Sequence, residues 1–273
     1  MSAFTAACVQ LNSSDNVQQN LEAAGALIRT AKNQGASLVL LPENCTSVAP
    51  DNATRLKNAF SQDTHPAVPF FSSLARELHI CLVAGSISIA LGNGKIANRC
   101  LTFGPDGSLL ASYDKIHLYD AAPLPNETYK ESEIIAPGSK AVLCETKLAK
   151  IGLTICYDLR FPQLFRQLAK AGAEAITVPS AFTVPTGQAH WHVLLRARAI
   201  ETGCFILAAA QTGTHAGGRR TYGHSLIISP WGEILADAGE EPGVITAEID
   251  LEKVSDARRR ISSLQHDREF AGP

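Results

Sequence analysis

Short, almost uninterrupted apolar runs constrain this chain more than any other feature. SLVLLP, ICLVAGSISIA, GLTIC, EAITVPSA and CFILAAAQ are each the length of a strand and carry almost no charge. Runs of this kind read as strands buried on both faces, which requires sheets covered by other layers. Between them lie segments with helical spacing. From about Val17 to Asn33, Leu21, Ala24, Leu27, Ile28 and Ala31 share one face, with Ser13, Ser14 and Asp15 as cap candidates and Gly35 as a stop. VPFFSSLARELH, FPQLFRQLAKAG and WHVLLRARAIETG read as further helices. RCLTFGPDGSLLASYDK turns at Pro-Asp-Gly and reads as a hairpin, as do AVLCETKLAKIGLTIC and HSLIISPWGEILADA; VITAEIDLEKVSDARRR reads as a strand and then a helix. The class is α/β with mixed sheets in layers. No linker, repeat or low-complexity tract divides residues 1–273, so one domain is expected. Tyr119 to Gly138, with Pro123, Pro125, Asn126 and Pro137, has no clear period and reads as a long functional loop.

A formal net charge of −2 supplies no polycation for nucleic acid and no basic face for an anionic membrane, so neither partner is expected. The opening MSAFTAACVQLNSSD shows neither a basic segment nor a long apolar one, and a cytoplasmic location is expected. Seven scattered cysteines without any C-x-x-C disfavour both a disulfide framework and a zinc site. Cys8, Cys81, Cys100, Cys144 and Cys204 lie in apolar runs and read as small core residues.

Cys156 has another setting. It ends an apolar run, just before a helix with Pro162 in its first turn, beside the polar cluster Tyr157, Asp158 and Arg160. Exposure at a strand end near helix N–H groups is expected to favour its thiolate. Glu43 ends LVLLPE, where partial desolvation is expected to raise its pKa toward a useful general-base value. Lys115 ends a hairpin strand in SYDKIHLYD. A nucleophile, a base and a cation, each at the end of an apolar strand, are what acyl transfer from nitrogen needs.

Weaker signals are read structurally. Gly92, Gly94 and Ala97 fit a loose dinucleotide pattern but precede a hairpin, so they mark a turn. His190 and His192 are poorly spaced for a metal and read as structural or pocket-edge residues. Arg196, Arg198 and Glu201 read as an ion-pair network, and Arg258, Arg259 and Arg260 as a solvated face. Arg160 suits either an ion pair with Asp158 or recognition of a substrate carboxylate.

The blocks LPE, YDKIHL and GLTICYDLRFP resemble the three signature motifs of the nitrilase superfamily of carbon–nitrogen hydrolases. PSAFTVPTGQAHWHVLLRARAIET and YGHSLIISPWGEILADAGEEPG extend the resemblance almost from end to end. It implies an αββα sandwich of two mixed β-sheets flanked by helices and a Glu43, Lys115 and Cys156 triad. Glu131, in ESEIIAPG, matches the family's second active-site glutamate. Tyr157, Arg160, Phe182 and Thr183 are the implied substrate-binding residues, with Arg219 or Arg220 as further candidates. The implied substrate is a small acidic amide, with no cofactor, no metal and a homodimer or higher homo-oligomer.

Overall fold

A computed structural model describes residues 3–125 and 127–272. One six-stranded sheet is built from β1 (Phe4–Gln10), β2 (Leu38–Leu40), β3 (Cys81–Ala90), β4 (Ile96–Phe103), β5 (Leu109–Asp114) and β16 (Gly243–Ile249), in the order β16-β1-β2-β3-β4-β5. The other contains β8 (Val142–Glu145), β9 (Lys150–Leu153), β10 (Ala175–Thr177), β11 (Phe205–Ala208), β14 (Leu226–Ile228) and β15 (Ile234–Asp237), in the order β15-β14-β11-β10-β9-β8. Each has three parallel strands at its centre, β1-β2-β3 and β9-β10-β11, flanked by antiparallel ones. This explains why the central runs are apolar throughout.

Period-two alternation sorts the first sheet into two faces. Ala7, Val9, Val39, Leu41, Leu82 and Ala84 pack with Leu21, Ala24 and Ile28 of α1 (Val17–Asn33) and Phe71 and Leu74 of α3 (Ala67–Leu78). Ala6, Cys8, Leu38, Leu40 and Val83 join the opposite core with Ile151, Leu153 and Ile176 of the second sheet. That core also takes in Leu164 and Phe165 of α4 (Pro162–Lys170) and Leu195 and Ala199 of α6 (His192–Thr202). The layering is therefore α–β–β–α. Cys8, Cys81, Cys100, Cys144 and Cys204 are buried there as expected, and Cys45 is buried too.

The expected helices and hairpins form, with some differences of detail. Asn16, not Ser13, Ser14 or Asp15, caps α1: its side chain accepts from Gln19 N at 3.1 Å. A short helix, α2 (Asn52–Lys57), has no buried residue and so left no apolar period to read. The segment from Tyr119 to Gly138 is not a plain loop. It folds as the hairpin β6 (Asp120–Leu124) and β7 (Glu127–Lys130) followed by a tight turn at Glu131–Glu133; Asn126 lies outside the described residues. A second small hairpin pairs β12 (Thr212–Thr214) with β13 (Arg220–Tyr222), and a three-residue helix, α5 (Val184–Thr186), precedes α6. α7 (Glu252–Arg260) follows β16, and here the run of arginines divides. Arg259 and Arg260 are exposed beside Asp256, whereas Arg258 turns inward to the carbonyls of Thr202 (3.1 Å) and Ala173 (2.7 Å). Arg198 pairs with Glu201 at 3.0 Å, but Arg196 binds the Gly232 carbonyl and is not part of an ion-pair network. Among the described residues, no helix is long and apolar enough to cross a membrane.

One glycine governs how closely the layers approach. A β-carbon on Gly85 of β3 would lie 1.9 Å from the Leu41 carbonyl oxygen and 2.5 Å from Pro179 Cβ. Both neighbours lie at or next to a strand's carboxyl end and neither can withdraw without moving a sheet. Gly85→Ala is therefore expected to cost about 1–3 kcal/mol or more, read as a lower Tm in thermal denaturation. A Tm equal to that of the parent would mean the strands have room to separate.

Candidate active site

The carboxyl ends of the two parallel strand groups meet in a seam, and four sequence-predicted residues converge there. Glu43 follows β2, Lys115 follows β5, Cys156 follows β9, and Glu131 opens the turn after β7. Lys115 Nζ donates to Glu43 Oε1 at 2.9 Å and to Glu131 Oε2 at 2.8 Å. Asn98 Nδ2 (2.9 Å) and the Ala181 N–H (3.0 Å) complete the shell of Glu43, so every oxygen of this buried carboxylate is satisfied. Glu131 Oε2 also accepts from the Tyr119 N–H at 2.8 Å. Gln211 ties the sheets together behind the site: its amide nitrogen donates to the Glu43 carbonyl (3.1 Å) and its oxygen accepts from Ser13 N (3.0 Å).

Cys156 stands at the sheet-to-helix joint with φ +50°, a left-handed conformation that a side chain makes costly. Two bonds hold it there. Its own N–H donates to the Pro179 carbonyl at 2.9 Å, and the Ile155 N–H donates to Asp158 Oδ2 at 2.8 Å. Asp158 is fully buried and also accepts from Tyr113 OH (2.7 Å), the His117 N–H (3.0 Å) and the His117 ring (2.7 Å). Tyr113 and His117 flank Lys115 by two residues on either side. One carboxylate thus fixes the spacing between the strand end bearing Lys115 and the turn bearing Cys156. Asp158 makes no ion pair with Arg160; that reading of Arg160 is excluded because four other donors already surround the carboxylate.

The electrostatics differ from expectation at two residues. Burial pushes the Cys156 thiol well up, and the Glu43 carboxylate pushes it further, against the opposing Lys115 ammonium. Burial and the Glu43 charge thus outweigh Lys115 and the Ala181 N–H, and the balance favours the neutral thiol over the expected thiolate. Burial by itself would raise the Glu43 carboxyl, but the Lys115 charge and hydrogen bond, with the Cys156 thiol and Arg219, hold it below the ordinary glutamate value. For Lys115, burial opposes the charge, yet Glu131 and Glu43 together hold the ammonium well above the usual lysine range. These directions favour a carboxylate, an ammonium and an SH group at the seam.

Around these groups lies a tight cavity, lined also by Tyr119, Tyr157, Arg160, Phe182, Thr183 and Arg219. All four substrate-binding candidates thus reach it. Arg160 stacks 5.8 Å over the Tyr157 ring and 5.6 Å over Phe182, and its guanidinium meets His190 Nδ1 at 3.3 Å. Of the two later arginines only Arg219 enters: it donates to the Ala181 carbonyl (2.9 Å) and lies 5.3 Å over the Tyr129 ring, while Arg220 lines a different cleft. Sequence reasoning missed Tyr119, Asn98 and the Ala181 N–H. None has a motif-like spacing, and a backbone donor leaves no signal in side-chain identity. The histidine pair also separates, since His190 faces Arg160 whereas His192 turns to His224 and Asp237.

Two mixed sheets sandwiched by helices, with charged groups gathered where their parallel strands end, define the nitrilase-like hydrolase fold. The sequence profile described as carbon–nitrogen hydrolase matches residues 5–259, and the chain belongs to that family. It is 41% identical over 270 residues to a deaminated glutathione amidase of Synechocystis sp., covering 97% of this chain and 98% of that one. It is 37% identical to an omega-amidase of Bos taurus, over 96% and 94% of the two chains. Among solved structures it resembles Saccharomyces cerevisiae Nit3, a member of branch 10 of the nitrilase superfamily, with a TM-score of 0.88, 34% identity and coverage of 98% and 97%.

Lys115→Met leaves the buried Glu43 carboxylate facing the part-buried Glu131 without the cation between them, which should cost about 3–5 kcal/mol. Its pH dependence should reverse. In the parent, the lowered Glu43 pKa contributes stability that is present above the unfolded value and lost as pH falls through the folded one. In the variant, desolvation is opposed far less and the folded pKa rises, so stability is lost as pH rises. Chemical denaturation of both proteins between about pH 4 and 8 checks this; parallel profiles would mean that Lys115 does not set the Glu43 charge.

Proposed function

We propose that this protein is a cysteine-dependent amidase that hydrolyses a small acidic amide, deaminated glutathione, to 2-oxoglutarate and Cys-Gly. The observation that carries this reading is Cys156 at the same seam as a Glu43 paired with Lys115 at 2.9 Å, in a cavity that also holds two guanidiniums. The 41% identity to a protein of that activity, almost end to end, supports the substrate. Omega-amidase is the alternative, supported by the 37% identity to a protein of that name.

Glu43 takes the thiol proton as Cys156 attacks the amide carbonyl, so the thiolate exists only while the C–S bond forms. Two of the three Lys115 N–H donors serve Glu43 and Glu131. The third, with the Tyr157 backbone N–H, receives the oxyanion, and each such donor is worth about 3–4 kcal/mol. Glu43 then protonates the leaving amine. Water enters, gives its proton to Glu43 and attacks the acyl-thioester; the thiol regains its proton as the acid leaves. Glu131 orients Lys115. No step calls on a metal or organic cofactor.

Deaminated glutathione and 2-oxoglutaramate share one acyl group and differ in what leaves, a dipeptide or ammonia. Leaving-group space therefore separates the readings. Tyr119, Glu131 and Arg219 are shared between the inner cavity and an outer cleft of about 540 Å³ that continues past Arg55 and Lys130. Such a cleft has room for a dipeptide, whereas ammonia needs none; Arg55, Lys130 and Arg219 in it are matched by Asp51, Glu131 and Glu133, so space and not net charge favours the larger leaving group. Seven unpaired cysteines fit a reducing compartment, and we place the protein in the cytoplasm.

Cys156→Ala should abolish turnover without loss of fold, and intact-mass measurement should find an acyl adduct on the parent only. Deaminated glutathione should exceed 2-oxoglutaramate in kcat/KM. Arg160→Lys and Arg219→Lys should each raise KM more than they lower kcat, because a lysine cannot reproduce bidentate carboxylate binding. Preference for 2-oxoglutaramate would transfer the assignment to the omega-amidase reading and leave the Cys156 chemistry standing; activity in Cys156→Ala would end both.

Self-association completes the proposal. Val193 and Ile200 of α6, with Trp231, leave apolar side chains exposed that an isologous two-fold contact would cover. Light scattering at micromolar concentration should give a dimer or larger, and a monomer would contradict it.

A further inference from the structure

Outside the cavity that holds Cys156, three side chains from separate elements point at one another. They are His192 at the start of α6, His224 just before β14 and Asp237 at the end of β15. Asp237 Oδ2 lies 3.2 Å from both His192 Nε2 and His224 Nδ1, and the three ligand atoms lie within 4.8 Å of one another. Four ligands bound tetrahedrally at about 2.0–2.1 Å stand roughly 3.3 Å apart. Two of the three separations match that spacing; they are at present hydrogen bonds, with His224 Nδ1 also 3.0 Å from Asp237 Oδ1, and an ion would replace them. It is the one grouping of this kind among the described residues.

The surrounding frame fixes both imidazoles. The helix bearing His192 is entered through a π-helical turn, Gly187–Trp191, whose extra residue rotates the following face by about 100° relative to an α-helical continuation. That turn packs against Tyr222 so closely that a β-carbon on Gly187 would lie 2.2 Å from the ring. Trp191 Nε1 donates to the His224 carbonyl at 2.7 Å, holding the two histidine-bearing segments together. His224 itself has φ +53°, and its N–H donates to the Gly239 carbonyl at 2.7 Å. The Gly239 N–H in turn donates to Asp237 Oδ1 at 2.9 Å, the kind of outer contact that orients a ligating carboxylate. The Tyr222 ring stacks on His224 with centroids 4.5 Å apart.

We propose that His192, His224 and Asp237 form a binding site for a borderline divalent metal of the zinc class, with three protein ligands and an open position toward solvent. Two imidazoles and one carboxylate select such ions over magnesium and calcium, which prefer all-oxygen shells. His192 and Asp237 are each about a third exposed, which gives an ion a path in. The bound ion would clip the start of α6 to the β14–β15 hairpin. Two residues before His192, His190 contacts Arg160 at the cavity edge, so the clip also steadies that wall. The site takes no part in the amide chemistry, and its occupancy is independent of that assignment.

The test is calorimetric titration of the chelator-stripped, full-length protein with Zn²⁺ at neutral pH, in the parent and in Cys156→Ala to remove the reactive thiol. One ion per chain should bind to both and raise Tm. His192→Ala and Asp237→Asn should each weaken binding at least about tenfold, with unchanged circular dichroism. The two variants change different elements, so misfolding of one leaves the other decisive. Co²⁺ should give visible d–d bands without a thiolate charge-transfer band. No stoichiometric uptake, equal affinity in the variants, or a thiolate band would each overturn the proposal.

Discussion

The Lys115 ammonium, held between Glu43 and Glu131 where the sheets meet, is the interaction on which the rest of the site depends. A lone buried charge is too costly for a folded chain to keep, so each of these groups is tolerable only because the others are within bonding distance. They come from distant parts of the chain, and nothing short of both sheets in register assembles them. The Asn98 amide and the Ala181 N–H, one from each sheet's side of the seam, then saturate Glu43.

Asp158 performs the matching task for Cys156. Its four donors come from Tyr113, His117 and Ile155, so the hairpin end and the nucleophile turn share one anchor. The motifs YDKIHL and CYDLRFP are therefore one structural unit seen twice in the sequence. The backbone at Cys156 is strained, and the strain is carried by bonds to groups that take no part in chemistry.

The protonation pattern fits the proposed reaction better than a preformed thiolate would. A raised thiol beside a lowered Glu43 favours a nucleophile that stays masked until a carbonyl arrives. The base is already ionised and adjacent, so attack requires only a short proton transfer. Burial pushes both groups up; the neighbouring charges then act oppositely, with Glu43 pushing the thiol further up while Lys115 brings Glu43 down.

Layer architecture, the main helices and hairpins, and the strand-end positions of Glu43, Lys115 and Cys156 were legible in the sequence, since apolar periodicity and strand ends are local properties of the chain; Glu131 was reached only through the family resemblance. The hairpin inside Tyr119–Gly138 was hidden because its residues alternate between part-buried and exposed and bury no continuous apolar face. The signs of the Cys156 and Glu43 shifts, the choice of Arg219 over Arg220, the inward turn of Arg258 and the meeting of His192 with His224 and Asp237 were beyond it. Each depends on which distant groups lie within a few ångströms once the layers close. Sequence fixes which side chains are available; charge and desolvation act through space, and only the tertiary fold sets those distances.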